Sequence, residues 1–222
     1  MEFRISDTLS DSLNKLTADE QAAVKTTAFD LQIDPSNPGM SFHKLEKVKD
    51  KKFCSVRVNR DIRIIVHKSS KSLLLCYVDH HDKAYAWAQR RKIERHPKTG
   101  AMQIVEIREK VVEIEIPKYY QAEVPAPPKP LLFKETSRQD LLSYGVPEEW
   151  IADVKLADED SILEIAEHLP EEASEALLNI ATGSVPVKPE LVGEGQDPFA
   201  HPDSQRRFRV ISNINELKKA LE

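Results

Sequence analysis

Residues 53–68, Phe-Cys-Ser-Val-Arg-Val-Asn-Arg-Asp-Ile-Arg-Ile-Ile-Val-His-Lys, decide the fold of this chain, because their alternation predicts a β-hairpin of defined register. The apolar face of this hairpin is predicted to contain Cys54, Val56, Val58, Ile62, Ile64 and Val66. Both strands place their apolar residues on one side of the sheet only if 59–61 forms the loop. Arg57 then lies directly opposite Arg63 on the other face.

Neighbouring segments extend the hairpin into an α+β domain. The predicted elements are a strand at 3–5, helices at about 9–16 and 18–33, the hairpin, a strand at 73–78 and a helix at 82–91. Thr17 followed by Glu20 is typical of a capping box at the start of the second helix. Residues 73–78 are apolar throughout, which predicts a central strand or one covered on both faces.

The two arginines of the hairpin are the first candidates for a functional site. Like charges that face each other across two strands repel unless an anion, a carboxylate or a partner lies between them. We therefore expect Arg57 and Arg63 to meet a polyanion or a protein partner, although two solvated arginines on an exposed face would give the same pattern. A polar corner, Asp79-His80-His81-Asp82, ends the predicted sheet.

The element order and two local motifs resemble the RelE/ParE toxin fold. His-Lys-Leu at 43–45 resembles the family's stretch after its second helix, and Val-Asp-His-His-Asp-Lys-Ala-Tyr at 78–85 resembles its closing motif. The resemblance implies a RelE-like antiparallel sheet with packed helices. It also implies a metal-free mRNA endoribonuclease site, formed by Arg57, Arg63, His81 and Tyr85.

Two positions depart from the pattern of active toxins. Ser55 stands where active members have lysine, and His81 stands where they have an arginine that stabilises the phosphorane. Both replacements remove charge from a reaction that depends on electrostatic stabilisation of the developing phosphate charge. The pair His80 and His81 has the chemistry for general acid and base catalysis, but equally for packing at a strand end.

A second resemblance covers four motifs spread over the chain, at 37–46, 78–88, 144–150 and 197–203. They resemble the amino-terminal region of bacterial UvrD/Rep-like superfamily 1 DNA helicases, where a RelE-like and a small helical module precede the motor. The sequence has no Gly-x-x-x-x-Gly-Lys-Ser/Thr phosphate loop, so we expect no cofactor here. ATP and magnesium would belong to a motor beyond Glu222.

Charge is distributed unevenly between the two halves of the chain. Residues 1–100 contain 19 Lys/Arg and 13 Asp/Glu, whereas 101–222 contain 13 and 24. The first part therefore suits nucleic acid and the second does not. Ordinary solvation of charged helices, or neutralisation of the basic part by the acidic part, are the alternatives.

The second half is predicted to contain separate modules. We expect a strand or hairpin extension at 101–118, a Pro-rich linker at 119–136 and a small all-α bundle at 137–183. A second linker is predicted at 184–204, and 205–222 is predicted as a strand and helix that lead toward the motor domain. The RelE-like domain itself is expected over 1–100.

Compartment and metal content follow from a few residue types. Two cysteines, Cys54 and Cys76, and the lack of a signal peptide predict a cytoplasmic protein with reduced thiols. No apolar run has the length of a membrane span, so no membrane partner is expected. Cys-x-x-Cys and His-x-x-x-His spacings are both missing, which argues against a metal site.

Three functions remain open at this point. The first is a non-motor module that binds nucleic acid, DNA more than RNA, or regulates a helicase motor; its binding residues would be Arg57, Arg63, Lys44, His80 and His81. The second is the RelE-like endoribonuclease. The third is a protein-interaction scaffold without catalysis.

Overall fold

The computed structural model describes residues 1–35, 41–108, 129–189, 191 and 195–222. These residues form two compact units. The first consists of 1–95, 100–104 and 192–222, and the second of 96–99 and 105–191. Within the described ranges, no helix combines the length and the apolar character needed to cross a bilayer.

The first unit is built on a mixed six-stranded sheet. Its strands are β1 (Glu2–Ser6), β2 (Phe42–Lys44), β3 (Phe53–Arg57), β4 (Ile62–Lys68), β5 (Ser72–His80) and β8 (Phe208–Val210), in the order β2-β3-β4-β5-β1-β8. Neighbouring strands are antiparallel except for β1 and β5, which are parallel. The expected α+β class is confirmed, and β5 is central as its apolar sequence predicts.

The β3–β4 hairpin has the predicted register. Arg57 is paired with Arg63, and the Val58 amide donates to the Ile62 carbonyl at 3.1 Å. Asn59 fixes the loop, since its side-chain oxygen accepts from the amides of Asp61 and Ile62 at 2.9 and 2.8 Å. An asparagine that bonds its own loop in this way supplies a turn without help from the rest of the fold.

Two helices cover one face of the sheet. They are α1 (Asp7–Leu13) and α2 (Ala18–Ile33), and α2 begins with the predicted capping box of Thr17 and Glu20. The core beneath them contains the apolar face of the hairpin together with Leu9, Val24, Ala28, Leu31, Leu73, Leu75 and Val78. Burying these side chains is the main source of stability, at about 1.5–3 kcal/mol for each large one.

The opposite face is covered by α3 (His81–Gln89), which starts directly after β5. Phe53, Ile65 and Trp87 lie in this second core, and the rings of Phe53 and Trp87 meet edge to face at 5.9 Å. The helix begins one residue before the predicted start and ends two before the predicted end. Its position over the sheet brings Tyr85 to the face that carries the arginines.

Residues 195–222 are part of the first unit. They form α8 (Pro202–Arg207), β8 and α9 (Ile214–Ala220). β8 pairs with β1, and Leu217 of α9 is fully buried in the first core. A strand and a helix were predicted within 205–222, but their packing on β1 and the first core was not, because the pairing partner lies far away in the sequence.

A buried cation fastens this terminal segment to β1. Arg4 is 4% exposed, and its guanidinium lies 2.8 Å from Glu2 and 3.4 Å from Asp197. The same group sits 4.0 Å from the centre of the Phe199 ring. Because a buried charge without partners is costly, Arg4 holds the 197–199 segment in place.

In its described part, the second unit contains the short α-helices α4 (Arg138–Ser143), α5 (Ile151–Lys155), α6 (Ile162–Glu167) and α7 (Glu171–Ala181). Its core includes Leu141, Val146, Trp150, Val154, Ala173 and Leu177. Phe133 is fully buried in the same core, and the Leu132 amide bonds the Ala157 carbonyl at 2.9 Å. The end of the predicted 119–136 linker is therefore packed structure.

Two further strands, β6 (Arg91–Arg95) and β7 (Met102–Glu106), form a separate two-stranded sheet. The part of the predicted extension at 102–106 thus pairs with β6. Residues 109–118 of that extension, and 119–128 of the linker, lie outside the described residues.

The packing of β8 makes a prediction for stability. Phe208 is 3% exposed and meets Phe199 edge to face at 5.2 Å, so Phe208→Ala should lower the free energy of unfolding by about 3–5 kcal/mol. Its exposed neighbour provides a matched control, and Arg209→Ala should change stability by less than about 0.5 kcal/mol. Urea denaturation measures both. Equal effects of the two variants would contradict β8 as an integral strand.

Candidate functional site

One face of the sheet carries both arginines, and we call it the arginine face. It is defined by Ser55 and Arg57 on β3, Arg63 on β4, and Tyr77 and Asp79 on β5. Cross-strand pairing places Arg57, Arg63 and Asp79 in one row, and Ser55 and Tyr77 in the next. The side chains share a face because alternate residues of a strand point the same way.

The two guanidinium groups are held close together by the hairpin loop. Arg57 donates from Nε to the Asn59 carbonyl at 3.0 Å, and Arg63 donates from Nη1 to the same carbonyl at 2.9 Å. Arg63 also bonds the carbonyls of Ile62 and Arg60, at 2.9 and 3.4 Å. Backbone oxygens thus compensate the repulsion between the two cations. Arg57 is exposed and Arg63 half-buried, so both remain accessible to an anion.

A pair of hydroxyl groups lies beside the arginines. The side chain of Ser55 is buried, and its Oγ is 3.0 Å from the hydroxyl oxygen of Tyr85, with either atom as donor. Ser55 precedes Arg57 by two residues on the same face, so their Cα atoms are about 7 Å apart. Tyr85 therefore lies beside the arginine face, next to the row of Ser55, although it belongs to helix α3.

His81 completes this arrangement. Its ring centroid is 4.2 Å from that of Tyr85 with a tilt of 37°, and its Nδ1 lies 2.8 Å from Oδ1 of Asp82. The carboxylate accepts from the Nδ1 hydrogen, which leaves Nε2 as the nitrogen that can take or give a proton. His81, Tyr85 and Ser55 thus form a continuous chain of contacts.

Tyr77 lies on the same face, where it packs on Trp87 and donates a hydrogen bond to Asp79. Its ring stacks on Trp87 at 4.8 Å and 5°, and its hydroxyl donates to Asp79 at 3.1 Å. Burial, and then the bond to Asp79, raise the pKa of Tyr77 to about 12. Tyr77 therefore stays protonated at neutral pH.

His80 is not on the arginine face, and its contact with nucleic acid stays a prediction. It is paired with Ile62, whose side chain lies in the opposite core, because His80 is one residue out of phase with Asp79. Its Nδ1 lies 2.6 Å from Asp61, and its Nε2 is 3.9 Å from Glu20. The bond to Asp61 raises the pKa of His80, and the same bond lowers the pKa of Asp61.

The side chain of Lys44 also lies on the opposite face of the sheet from the two arginines. It is paired with Cys54, whose side chain belongs to the first core, so the pairing assigns Lys44 to the other face. The residue of β2 that shares the arginine face is His43, which is exposed and paired with Ser55. His43 was not among the predicted site residues, because the three-residue strand β2 was not predicted.

The arrangement therefore offers two cations, two coupled hydroxyls and one histidine with a free ring nitrogen. This set can bind a phosphate and move protons near it. Among the residues that the structure describes, no group of three or more His, Cys, Asp or Glu side chains is placed to hold a metal ion.

The His80–Asp61 pair makes a pH-dependent prediction. A raised pKa for His80 adds stability below its ordinary value of 6.5, and a lowered pKa for Asp61 adds stability above 3.8. The pair therefore stabilises the fold most between about pH 4 and 6.5, and its contribution is lost as the pH rises through the folded-state pKa of His80.

We expect Asp61→Asn to lower the pKa of His80, as followed by NMR titration of the imidazole. Asp82→Asn is the matched control, because Asp82 contacts His81 and not His80. His80→Gln should also reduce the gain in stability between about pH 8.5 and 5.5. An unchanged His80 pKa in the Asp61 variant would show that the pair does not form in solution.

Comparisons with known proteins give one weak likeness. No protein-family model matches the chain, and no curated protein matches it. Among solved structures, the toxin–antitoxin complex RelBE2 from Mycobacterium tuberculosis is similar at 24% identity, over 36% of this chain and 95% of that one, with a TM-score of 0.30. A TM-score this low supports no assignment, so the RelE-like fold and the helicase resemblance stay predictions from sequence motifs.

Proposed function

We propose that the first unit binds the phosphate backbone of a nucleic acid through Arg57 and Arg63. The observation that carries the proposal is that both guanidinium groups lie on one accessible face and share the Asn59 carbonyl. Two cations fixed side by side are ready to bind an anion, because the cost of bringing them together is already met by the loop. Arginine is suited to phosphate, with several donors in a planar group.

The charge of the surrounding chain favours the same ligand. Residues 1–100 have a net charge of +6, and the loop itself adds Arg60, which is exposed. A basic surface attracts polyanions over a Debye length, about 8–10 Å at physiological salt. An acidic peptide would satisfy the same charges, but it would not need the row of aromatic and hydroxyl groups that adjoins them.

Salt dependence tests this proposal. A protein that neutralises phosphates of a single-stranded oligonucleotide releases their counterions. A plot of log K against log salt concentration then has a slope of about −0.7 for each phosphate contact. We expect Arg57→Ala plus Arg63→Ala to flatten that slope by up to about 1.4 and to weaken binding at least tenfold at low salt. Fluorescence anisotropy at several salt concentrations provides both values.

The control is Lys15→Ala plus Arg209→Ala, which makes the same change in net charge with two exposed residues away from the hairpin. This variant should keep the wild-type slope within about 0.3. If both double variants flatten the slope equally, binding is a diffuse charge effect and Arg57 and Arg63 are not the site.

A second candidate function, RNA cleavage, is favoured by the His81–Tyr85–Ser55 contacts. In this reaction Nε2 of His81 accepts the proton of a ribose 2′-hydroxyl, and the 2′-oxygen attacks the adjacent phosphorus. The bond from phosphorus to the 5′-oxygen breaks, and Tyr85 protonates that leaving oxygen. The products are a 2′,3′-cyclic phosphate and a 5′-hydroxyl, and solvent returns the proton from His81 to Tyr85. The arginines would stabilise the charge on phosphorus.

Cleavage and binding are separated by two substitutions. Tyr85→Phe and His81→Gln should each lower the rate of RNA cleavage by roughly 10²–10⁴-fold, as expected for a general acid or base, while oligonucleotide affinity stays within about threefold. The measurement uses labelled mRNA with and without ribosomes. A deoxy substitution at the attacking ribose should abolish cleavage as a control. Binding without any cleavage by the wild-type protein would refute this second function and leave the first intact.

Regulation of a helicase motor is the finer proposal that the sequence motifs suggest. In that role, the arginine face would bind the nucleic-acid strand on which the motor acts. Its test is retention of a UvrD/Rep-like motor fragment on immobilised protein, with the Arg57 and Arg63 variant as comparison. If a motor fragment is retained but no nucleic acid binds, the scaffold hypothesis replaces the binding one.

A further inference from the structure

A cleft of about 360 Å³ opens beside Tyr85 in the first unit. Leu45 and Val48 line it, at 8% and 4% exposure, and both side chains belong to the core beneath α3. Tyr85 and Gln89, one helical turn apart on α3, line it as well. The cleft thus combines apolar side chains with an aromatic ring and a side-chain amide.

The charged residues of the cleft come from the segment that follows β2. Lys47 contributes a positive charge and Glu46 a negative charge, whereas Lys44 also lines the cleft but belongs by its strand pairing to the other face of the sheet. The backbone of this segment is tied down, since Lys51 donates from Nζ to the Glu46 carbonyl at 2.9 Å. The apolar lining together with the cation of Lys47 suits a ligand that is apolar and flat at one end and anionic at the other.

We infer that this cleft binds one nucleotide of the nucleic-acid strand, with its base against Leu45, Val48 and Tyr85 and its phosphate at Lys47. The inference rests on the proposed function, because it names the part of the ligand that lies next to the phosphates held by the arginines. A volume of about 360 Å³ is at the lower end of the range for small-ligand pockets, about 300–1,000 Å³. That volume suits a single nucleotide and not a stacked pair.

Tyr85 connects the cleft with the arginine face. It lines the cleft and at the same time holds the hydroxyl of Ser55, which precedes Arg57 by two residues. A strand whose phosphate contacts Arg57 therefore has its next nucleotide within reach of the cleft. Gln89 offers both a donor and an acceptor, which is what readout of a base edge requires. We accordingly assign Gln89 as a residue that sets base preference.

Mononucleotides test the cleft without the arginine face. The probes are AMP, GMP, CMP and UMP, added at millimolar concentration to ¹⁵N-labelled full-length protein and followed by NMR. We expect shifts at the amides of Leu45 and Val48 and at the Gln89 side chain, with affinities that differ between bases. In Gln89→Ala the differences between bases should shrink to within about twofold while binding persists.

A charge reversal provides the matched pair of variants. Lys47→Glu should weaken mononucleotide binding at least about fivefold, because Lys47 lines the cleft. Lys49→Glu makes the same change two residues away at an exposed lysine that does not line it, and should leave the affinity within about twofold. Both positions are exposed, so both variants should fold, as checked by urea denaturation.

The outcomes separate this inference from the proposed function. Oligonucleotide binding that depends on Arg57 and Arg63, without any mononucleotide shift at Leu45, Val48 or Gln89, overturns the nucleotide cleft and leaves phosphate binding in place. Mononucleotide shifts in the cleft, combined with oligonucleotide binding that ignores the arginines, support the cleft and overturn the proposed function. Equal effects of Lys47→Glu and Lys49→Glu would also overturn the cleft.

Discussion

The register of the β3–β4 hairpin is the constraint on which the rest of the first unit depends. A slip of one residue would turn one of the two strands over, so that either Arg57 would enter the core and Val56 leave it, or Arg63 would enter and Ile64 leave. Burying an unpaired cation in this way is costly. The pairing observed keeps the core apolar on one side and puts both arginines on the other side.

The same short loop that sets the register also makes the arginine pair tolerable. The side chain of Asn59 bonds the loop amides, and its carbonyl accepts from both guanidinium groups. Asn59 thus stabilises the loop through its side chain and holds the two arginines through its backbone carbonyl. A site built in this way is rigid, since moving either arginine breaks a hydrogen bond to the hairpin that carries it.

Local patterns sufficed for the parts of the molecule that depend on local physics. The hairpin register, the capping box at Thr17 and the central position of β5 all follow from nearby residues. The strand β2 did not, because it has three residues and owes its conformation to a distant partner strand. A strand was predicted within 205–222, but its pairing with β1 depends on residues far away in the sequence. The site divides in the same way. Local motifs predicted Arg57, Arg63, Tyr85 and His81 as candidate site residues. The faces of the sheet on which His80, Lys44 and His43 lie follow only from the strand pairing.

The charges present next to Tyr85 bear on whether the site binds or cleaves. A lysine at position 55 would place a cation beside the reacting phosphate, but this chain has a neutral Ser55 that is buried and bonded to Tyr85. A hydroxyl pair orients a ligand and relays a proton, yet it offsets little of the negative charge that develops on phosphorus. That charge would fall on the two arginines, whose donors are already partly used by backbone carbonyls. The electrostatics therefore favour holding a phosphodiester over cutting it, which is why binding is the primary proposal.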